Sequence, residues 1–364
     1  MSMHGPMPRS AWIFPALAVL LFAVSQIFGV AFTPTAGGIV IAVVLLVILF
    51  GTVFAAVHHA EVIAELIGEP YGTLLLTLAV TVIEVALIAT IMLGDKGVPT
   101  LARDTVFAVV MIVCNGLVGV CILTGGLRFR EQDVRVTGTN VYLSVLIVFA
   151  TITLVMPNYT LTTPGPLYSE LQLSFVSVVT IVLYAVFLYT QTILHRDYFV
   201  IDDGGGGDGG HVPDRMLALS AVLLVVSLLA VVLLAKKFSL VVDAGIALVG
   251  APEALAGVLV ALLILLPESV AAISAARHND LQKSINLALG SSLATIGLTI
   301  PAVAVAAAIM DKPLELGLSA QKMILLGMTF LLSMLTFGTG RTNILFGMIH
   351  IVVFAVYIFM VFVP

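Results

Sequence analysis

Charge is what this sequence has least of. Its 364 residues carry 15 Lys and Arg and 20 Asp and Glu, 10% of the chain, where soluble domains carry roughly a quarter. That shortage excludes an ordinary cytosolic enzyme. A basic tract is also missing: the formal net charge is −5 and no Lys/Arg cluster is interleaved with aromatics, so nucleic acid is not an expected partner. Cysteine is nearly absent. Cys114 and Cys121 lie in one apolar run, and without CxxC spacing they read as packed or lipid-facing thiols, not as a zinc or redox pair. What remains is 61% hydrophobic, enough at ~20 residues per crossing for roughly 11 membrane-spanning helices.

Short clusters of Gly, Pro and charge punctuate the apolar runs and mark where helices leave the bilayer. They place spans near 11–31, 37–58, 71–93, 104–126, 139–156, 170–194, 215–235, 252–276, 284–309, 318–337 and 342–363. The competing reading of the first run is a cleaved signal peptide, but it is longer than a typical h-region and lacks a clean small-x-small site. With eleven spans the loops alternate sides. The side shared with the N-terminus collects nine basic residues (Arg9, Arg128, Arg130, Arg135, Arg196, Arg215, Arg277, Lys283, Arg341) and the other side six (Lys96, Arg103, Lys236, Lys237, Lys312, Lys322). This excess predicts a cytoplasmic N-terminus.

A block recurs. Ala60-Glu61-Val62-Ile63-Ala64-Glu65-Leu66-Ile67-Gly68-Glu69-Pro70 follows the second span, and Val242-Asp243-Ala244-Gly245-Ile246-Ala247-Leu248-Val249-Gly250-Ala251-Pro252 follows the seventh. In both, an acid is followed by Gly seven residues later and Pro two further on, and each block leads into a span with one deep glutamate, Glu84 or Glu268. Similar Leu/Val/Ala-rich segments alone would not match at these rarer residues. Corresponding helices lie five spans apart, and five is odd, so the halves cross the membrane in opposite directions. That is the inverted-repeat architecture of secondary transporters, whose ion site lies near the midplane. The expected fold is an all-α polytopic membrane protein with an extra N-terminal helix (1–36), a first five-helix repeat (37–195), a polar Gly/Asp-rich linker (196–214) and a second repeat (215–364).

Glu84 lies 13 residues after Tyr71 and 11 before Asp95, and Glu268 nine before Arg277. At ~1.5 Å per residue neither snorkels readily to water. A carboxylate at mid-membrane costs about 2.5–3.5 kcal/mol on insertion scales and usually marks an ion or proton pathway. Because their helices run oppositely, the two carboxyls can converge. Thr73, Thr77, Thr81 and Glu84 form one polar stripe, although membrane Thr also serves its own backbone. Pro267 removes the helical donor to the Leu263 carbonyl, which frees an oxygen or simply kinks the helix. Asn115-Gly116 in span 4 and Gly290-Ser291-Ser292 in span 9 interrupt apolar helices at comparable places; the Gly and Ser suit close packing, whereas the amide of Asn115 needs partners in hydrocarbon. Two desolvated carboxylates resist bare charge, so they hold protons until an oxygen-seeking divalent cation, best Ca2+, displaces them. Competition of ion and proton for the same groups is the physical core of an antiporter.

At these residues the chain resembles the calcium/proton antiporters of the calcium/cation antiporter superfamily, in particular the bacterial sodium-calcium/proton antiporter (ChaA-like) branch. Glu61 to Pro70, Gly72-Thr73-Leu74-Leu75-Leu76-Thr77 and Thr81-Val82-Ile83-Glu84-Val85-Ala86 look like its first repeat, and Leu266-Pro267-Glu268-Ser269-Val270 with Leu289-Gly290-Ser291-Ser292-Leu293-Ala294 like its second. The resemblance implies a bacterial plasma-membrane protein that extrudes cytosolic Ca2+, with Na+ or K+ as further candidates, in exchange for H+. It also implies Glu84 and Glu268 as the central ion-binding acids; the residue pattern itself adds Thr81, Asn115, Pro267, Ser291 and Ser292 as supporting groups, and no cofactor is expected. Val80-Thr81-Val82-Ile83-Glu84 and Ile264-Leu265-Leu266-Pro267-Glu268 lack the Gly-Asn pair of the superfamily's GNxxE signature, and Ala294 stands where many eukaryotic relatives have Gln. The alternative is a monovalent cation/proton antiporter; a channel or intramembrane enzyme fits the inverted repeat less well.

Glu61, Glu65 and Glu69 recur every four residues, either as an acidic funnel at the cytosolic mouth or as a solvated helix face. His58-His59 does not form HExxH and points to two helix faces, which argues against zinc. Asp202-Asp203-Gly204-Gly205-Gly206-Gly207-Asp208 lacks EF-hand spacing and reads as a flexible linker.

Overall fold

The computed structural model describes residues 8–28, 35–68, 71–92, 98–198 and 214–363. Most of the Gly/Asp-rich linker, together with Glu69 and Pro70, lies outside the described residues. Among those described, eleven helices are long and apolar enough to cross a bilayer: Ser10–Ile27, Gly37–Ile67, Tyr71–Met92, Leu101–Phe129, Val136–Tyr159, Glu170–Leu194, Met216–Val249, Ala254–Arg277, Leu281–Ile309, Ala320–Gly338 and Ile344–Phe362. They are spans 1 to 11 below. The protein is an all-α, multi-pass membrane protein.

Two spans are longer than their sequence suggested. The second helix runs through His58 to Ile67, and the seventh continues past Lys236 and Lys237 to Val249. Between residues 58 and 67 the chain offers Ala, Glu, Leu and Ile and no breaker, so nothing stops the helix before Gly68. At 1.5 Å per residue the 32-residue and 36-residue helices are about 48 and 54 Å long, well beyond the ~30 Å hydrocarbon layer. The two glycines of the repeated block end them, with φ of 73° at Gly68 and 67° at Gly250. Nothing lies within 4 Å of a Cβ at either position, so it is the backbone conformation that demands glycine there.

The chain divides into two compact units that cut across the sequence halves. The first contains spans 1–3 and 7, the second spans 4–6 and 8–11. In the first unit the long spans 2 and 7 lie against each other, and spans 1 and 3 pack on both. Pro15 interrupts span 1 and cannot donate to the carbonyl of Ala11. His59 of span 2 takes that carbonyl with Nε2 at 3.0 Å, and the Thr52 hydroxyl lies 3.2 Å from the neighbouring Phe14 carbonyl. Gly51 admits the Phe14 ring, which a Cβ would meet at 2.2 Å.

The second unit provides a check on the alternation of loops. Arg128 donates to the Arg277 carbonyl at 3.0 Å, Gln132 to Asn279 Oδ1 at 3.1 Å, and Arg135 to the Asp197 carbonyl. Strand β1 (Glu131–Asp133) pairs antiparallel with β2 (Arg341–Asn343). Every one of these loops is assigned to the N-terminal side by an eleven-span count. At the opposite end Arg103 donates to the Gly317 carbonyl at 3.1 Å and Asn158 to that of Leu318 at 2.9 Å, again joining loops that alternation puts together. Spans 4 and 11 cross closely, where a Cβ on Gly119 would meet the Gly347 carbonyl oxygen at 3.1 Å and one on Gly347 the Gly119 oxygen at 3.1 Å.

Candidate functional site

Glu84 sits in the second half of span 3, in the first unit, and is only 1% exposed. Its neighbours on the stripe are partly accounted for locally. The Thr81 hydroxyl is buried and donates to the Thr77 carbonyl one turn back at 2.9 Å, the backbone-serving arrangement common for Thr in membrane helices. Its lone pairs remain available to a cation. Glu61 and Glu65 are both exposed near the end of the second helix, as either a funnel or a solvated face requires.

In the second unit, Glu268 is half-buried in span 8, and the helix runs unbroken through Pro267 from Ala254 to Arg277. The carbonyl of Leu263 therefore has no i+4 amide donor. Span 8 packs along span 4 in a readable register. A Cβ on Gly257 would lie 2.8 Å from Asp104 C and Thr105 N, so the backbones touch there. Both spans are even-numbered and run the same way. Eleven residues further along each stand Glu268 and Asn115, about 16 Å deeper and at one level. Span 8 also packs against the wider π turn Ile112–Leu117 that contains Asn115. Its counterpart five spans later, span 9, has a π turn at Thr295–Thr299, beginning three residues after Ser292. Such turns loosen the regular hydrogen-bond ladder and recur at functional sites.

Asn115 is fully buried, and its amide is engaged on both sides. Nδ2 donates to Thr329 Oγ1 at 2.9 Å, and Oδ1 lies 3.2 Å from His350 Nδ1. His350 Nε2 in turn meets Thr336 Oγ1 at 2.9 Å. Asn115, Thr329, Thr336 and His350 are each 0% exposed, so this is a closed polar chain linking spans 4, 10 and 11. Ser292 is buried with no hydrogen-bond partner for its hydroxyl among the described residues, and Ser291 is half-buried. Near them a second polar pair appears. Gln191 of span 6 donates to the Tyr142 hydroxyl of span 5 at 2.8 Å, and that hydroxyl lies 3.8 Å from the Cβ position of Gly290. Each polar break in one repeat is thus faced by a hydrogen-bonded pair from the last two spans of the other.

Sequence reasoning missed Thr329, Thr336 and His350; the one signal was a histidine seven residues into the last apolar span. It also passed over Asp104. That carboxylate is buried near the end of span 4 opposite the N-terminal side, with Lys322 Nζ at 2.6 Å, Arg103 Nε at 3.2 Å and Thr100 Oγ1 at 3.0 Å. An open cavity of about 700 Å³ beside it is lined by Arg103, Asn158, Thr160 and Ser319. Among the described residues no three His, Cys, Asp or Glu side chains gather as a metal-holding group. At Glu84 or Glu268 a cation would take hydroxyl and carbonyl oxygens beside the carboxylate, a donor set for hard ions.

A sequence model of the family described as "Sodium/calcium exchanger protein" matches residues 37–193 and 219–363. The matched stretches cover spans 2–6 and 7–11, five each, and leave span 1 outside both. The chain is 43% identical over 293 residues to y4hA of Sinorhizobium fredii, named as an ionic transporter, covering 80% of each chain. It is 37% identical over 294 residues to the sodium-potassium/proton antiporter ChaA of Escherichia coli K12, covering 79% of this chain and 80% of that one. In fold it is similar to the solved structure of native YfkE, with a TM-score of 0.71 at 16% identity over 97% of this chain and 100% of the other. A similar match is the H+/Ca2+ exchanger CAX, with a TM-score of 0.68 at 15% identity over 96% and 89%.

Proposed function

Because the chain belongs to the sodium/calcium exchanger protein family, we propose that it is a secondary transporter exchanging cytosolic Ca2+ for external H+ by alternating access, in a bacterial plasma membrane with its N-terminus inside. Glu84 and Glu268 carry cation and protons in turn. The observation that carries this reading is one deep acid at matching places in two five-span repeats. A bare carboxylate is costly in the membrane core, so each acid crosses either protonated or neutralised by a cation, and the two loads exclude one another. Two carboxyls account for two protons per divalent ion. The Thr81 hydroxyl, one turn before Glu84, and the Leu263 carbonyl and Ser292 hydroxyl of the other unit are the oxygen donors assigned to these acids, of the kind calcium tolerates in irregular coordination.

One observation favours a second reading. The relative ChaA is named a sodium-potassium/proton antiporter, and the chain lacks the Gly-Asn pairs before both glutamates, which leaves fewer amide ligands for calcium. Proton movement in vesicles, followed with an enclosed pH-sensitive dye on addition of Ca2+, Na+ or K+, decides between them. The expected result is proton counterflow driven by Ca2+. Counterflow with Na+ or K+ alone establishes the monovalent reading, and calcium entry without proton movement contradicts both.

A further inference from the structure

We propose that His350 is a positioning residue for the cation site: it holds the Asn115 amide, and with it the π turn of span 4, in one orientation at the level of Glu268. The proposal rests on the reading of Glu268 as an ion-binding acid. With a neutral ring, one set of proton positions satisfies every member of the hydrogen-bond chain. Thr329 Oγ1 donates its one proton to the Leu325 carbonyl at 2.8 Å, so towards Asn115 it accepts, and the group facing it is the amide nitrogen Nδ2. Oδ1 of Asn115 therefore faces His350 Nδ1 at 3.2 Å, and Nδ1 carries the ring proton. Nε2 is then an acceptor, served by the Thr336 hydroxyl at 2.9 Å. The ring, neutral in this arrangement and in its less common tautomer, is held between Asn115 and Thr336, both fully buried, and also meets the Cys114 backbone carbonyl.

The geometry extends this clamp towards the site. Gly347, three residues before His350, crosses Gly119 of span 4 at van der Waals limits, so the backbone that bears the histidine cannot slide along span 4. Asn115 lies within Ile112–Leu117, where the ladder is widened, and its side chain is turned to spans 10 and 11. The same turn also packs against span 8, which carries Glu268 eleven residues on from the Gly257 contact. The amide is thus used up as a strut, and the protein surface it steadies is the backbone offered to span 8. Groups that orient ligands in this indirect way typically change metal affinity by 10–100-fold when removed.

Three substitutions test it. The side-chain nitrogen of Asn sits where His has Nδ1, that of Gln where His has Nε2, and Leu has neither. His350→Asn keeps the donor to Asn115, so its KM for the transported cation is expected to stay within about twofold of native, while His350→Gln and His350→Leu raise KM about tenfold with kcat less affected. Size-exclusion profiles are the check that all three variants fold. Nitrogen-15 NMR of labelled histidines, with the His350→Asn protein identifying the resonance, is expected to show the Nδ1-protonated tautomer. An Nε2-protonated ring, unchanged KM in all three variants, or equal loss in all three with an altered proton count per cation each overturns the proposal, the last in favour of a proton carrier. Flux through Glu268→Gln separates the two levels: undiminished flux removes the site itself, whereas lost flux with unchanged KM in the His350 series removes only the role of His350.

Discussion

Asp104 shows that an acid in an apolar span need not be a cargo site. Its carboxylate is 6% exposed yet meets Lys322 at 2.6 Å and Arg103 at 3.2 Å, and Thr100 donates a further hydrogen bond. Two cations around one carboxylate leave no charge for a transported ion to satisfy. Removing that carboxylate takes away the 2.6 Å partner of Lys322 and leaves Arg103 only the more distant Glu315 carboxylate at 4.0 Å, so Asp104→Asn is expected to cost about 1–2 kcal/mol, between the values for surface and buried pairs. A thermal unfolding midpoint in detergent unchanged from native would refute this. Glu84 and Glu268 were legible in the sequence because depth follows from counting residues at a fixed rise, and depth alone makes a carboxylate expensive. Asn115 was legible only as a side chain in need of partners. That those partners are Thr329 and His350, more than two hundred residues away in the chain, depends on which spans become neighbours, and no local pattern encodes it.

Among elements, the repeated acid, glycine and proline proved to be a terminator as well as a marker of duplication. Read as a loop, the block suggested that spans 2 and 7 end near residues 58 and 235; instead the helices run on until a glycine takes positive φ, at Gly68 and Gly250. With open space at both Cβ positions, the penalty of Gly68→Ala or Gly250→Ala is purely conformational. Each is expected to destabilise by about 1–3 kcal/mol, seen as a lower midpoint in the same unfolding assay, and a neutral result at both sites would show that these turns relax freely. Polar interruptions in the sequence marked span 4 at its π turn, Asn115-Gly116, and span 9 shortly before its own at Thr295–Thr299, Gly290-Ser291-Ser292, but the turns themselves were not visible. One extra residue in a turn leaves composition and periodicity almost untouched, so it emerges only from the hydrogen-bond ladder.

At the scale of the whole molecule, the family model matches two stretches, 37–193 and 219–363, where the sequence suggests two five-span repeats, and that suggestion came from counting. The compact units did not. Spans 1–3 gather with span 7, and spans 4–6 with spans 8–11, because packing is chosen by side-chain fits such as Phe14 on Gly51 or Gly257 on Asp104 and not by repeat membership. Each unit holds one of the two deep acids, Glu84 or Glu268, and in the proposed exchange both act in every cycle. The most direct test is cation-driven proton flux in vesicles reconstituted with the native protein, Glu84→Gln or Glu268→Gln, substitutions that keep shape and remove the titrating charge. The account predicts that each single substitution abolishes coupled flux. Undiminished exchange in either variant would contradict it.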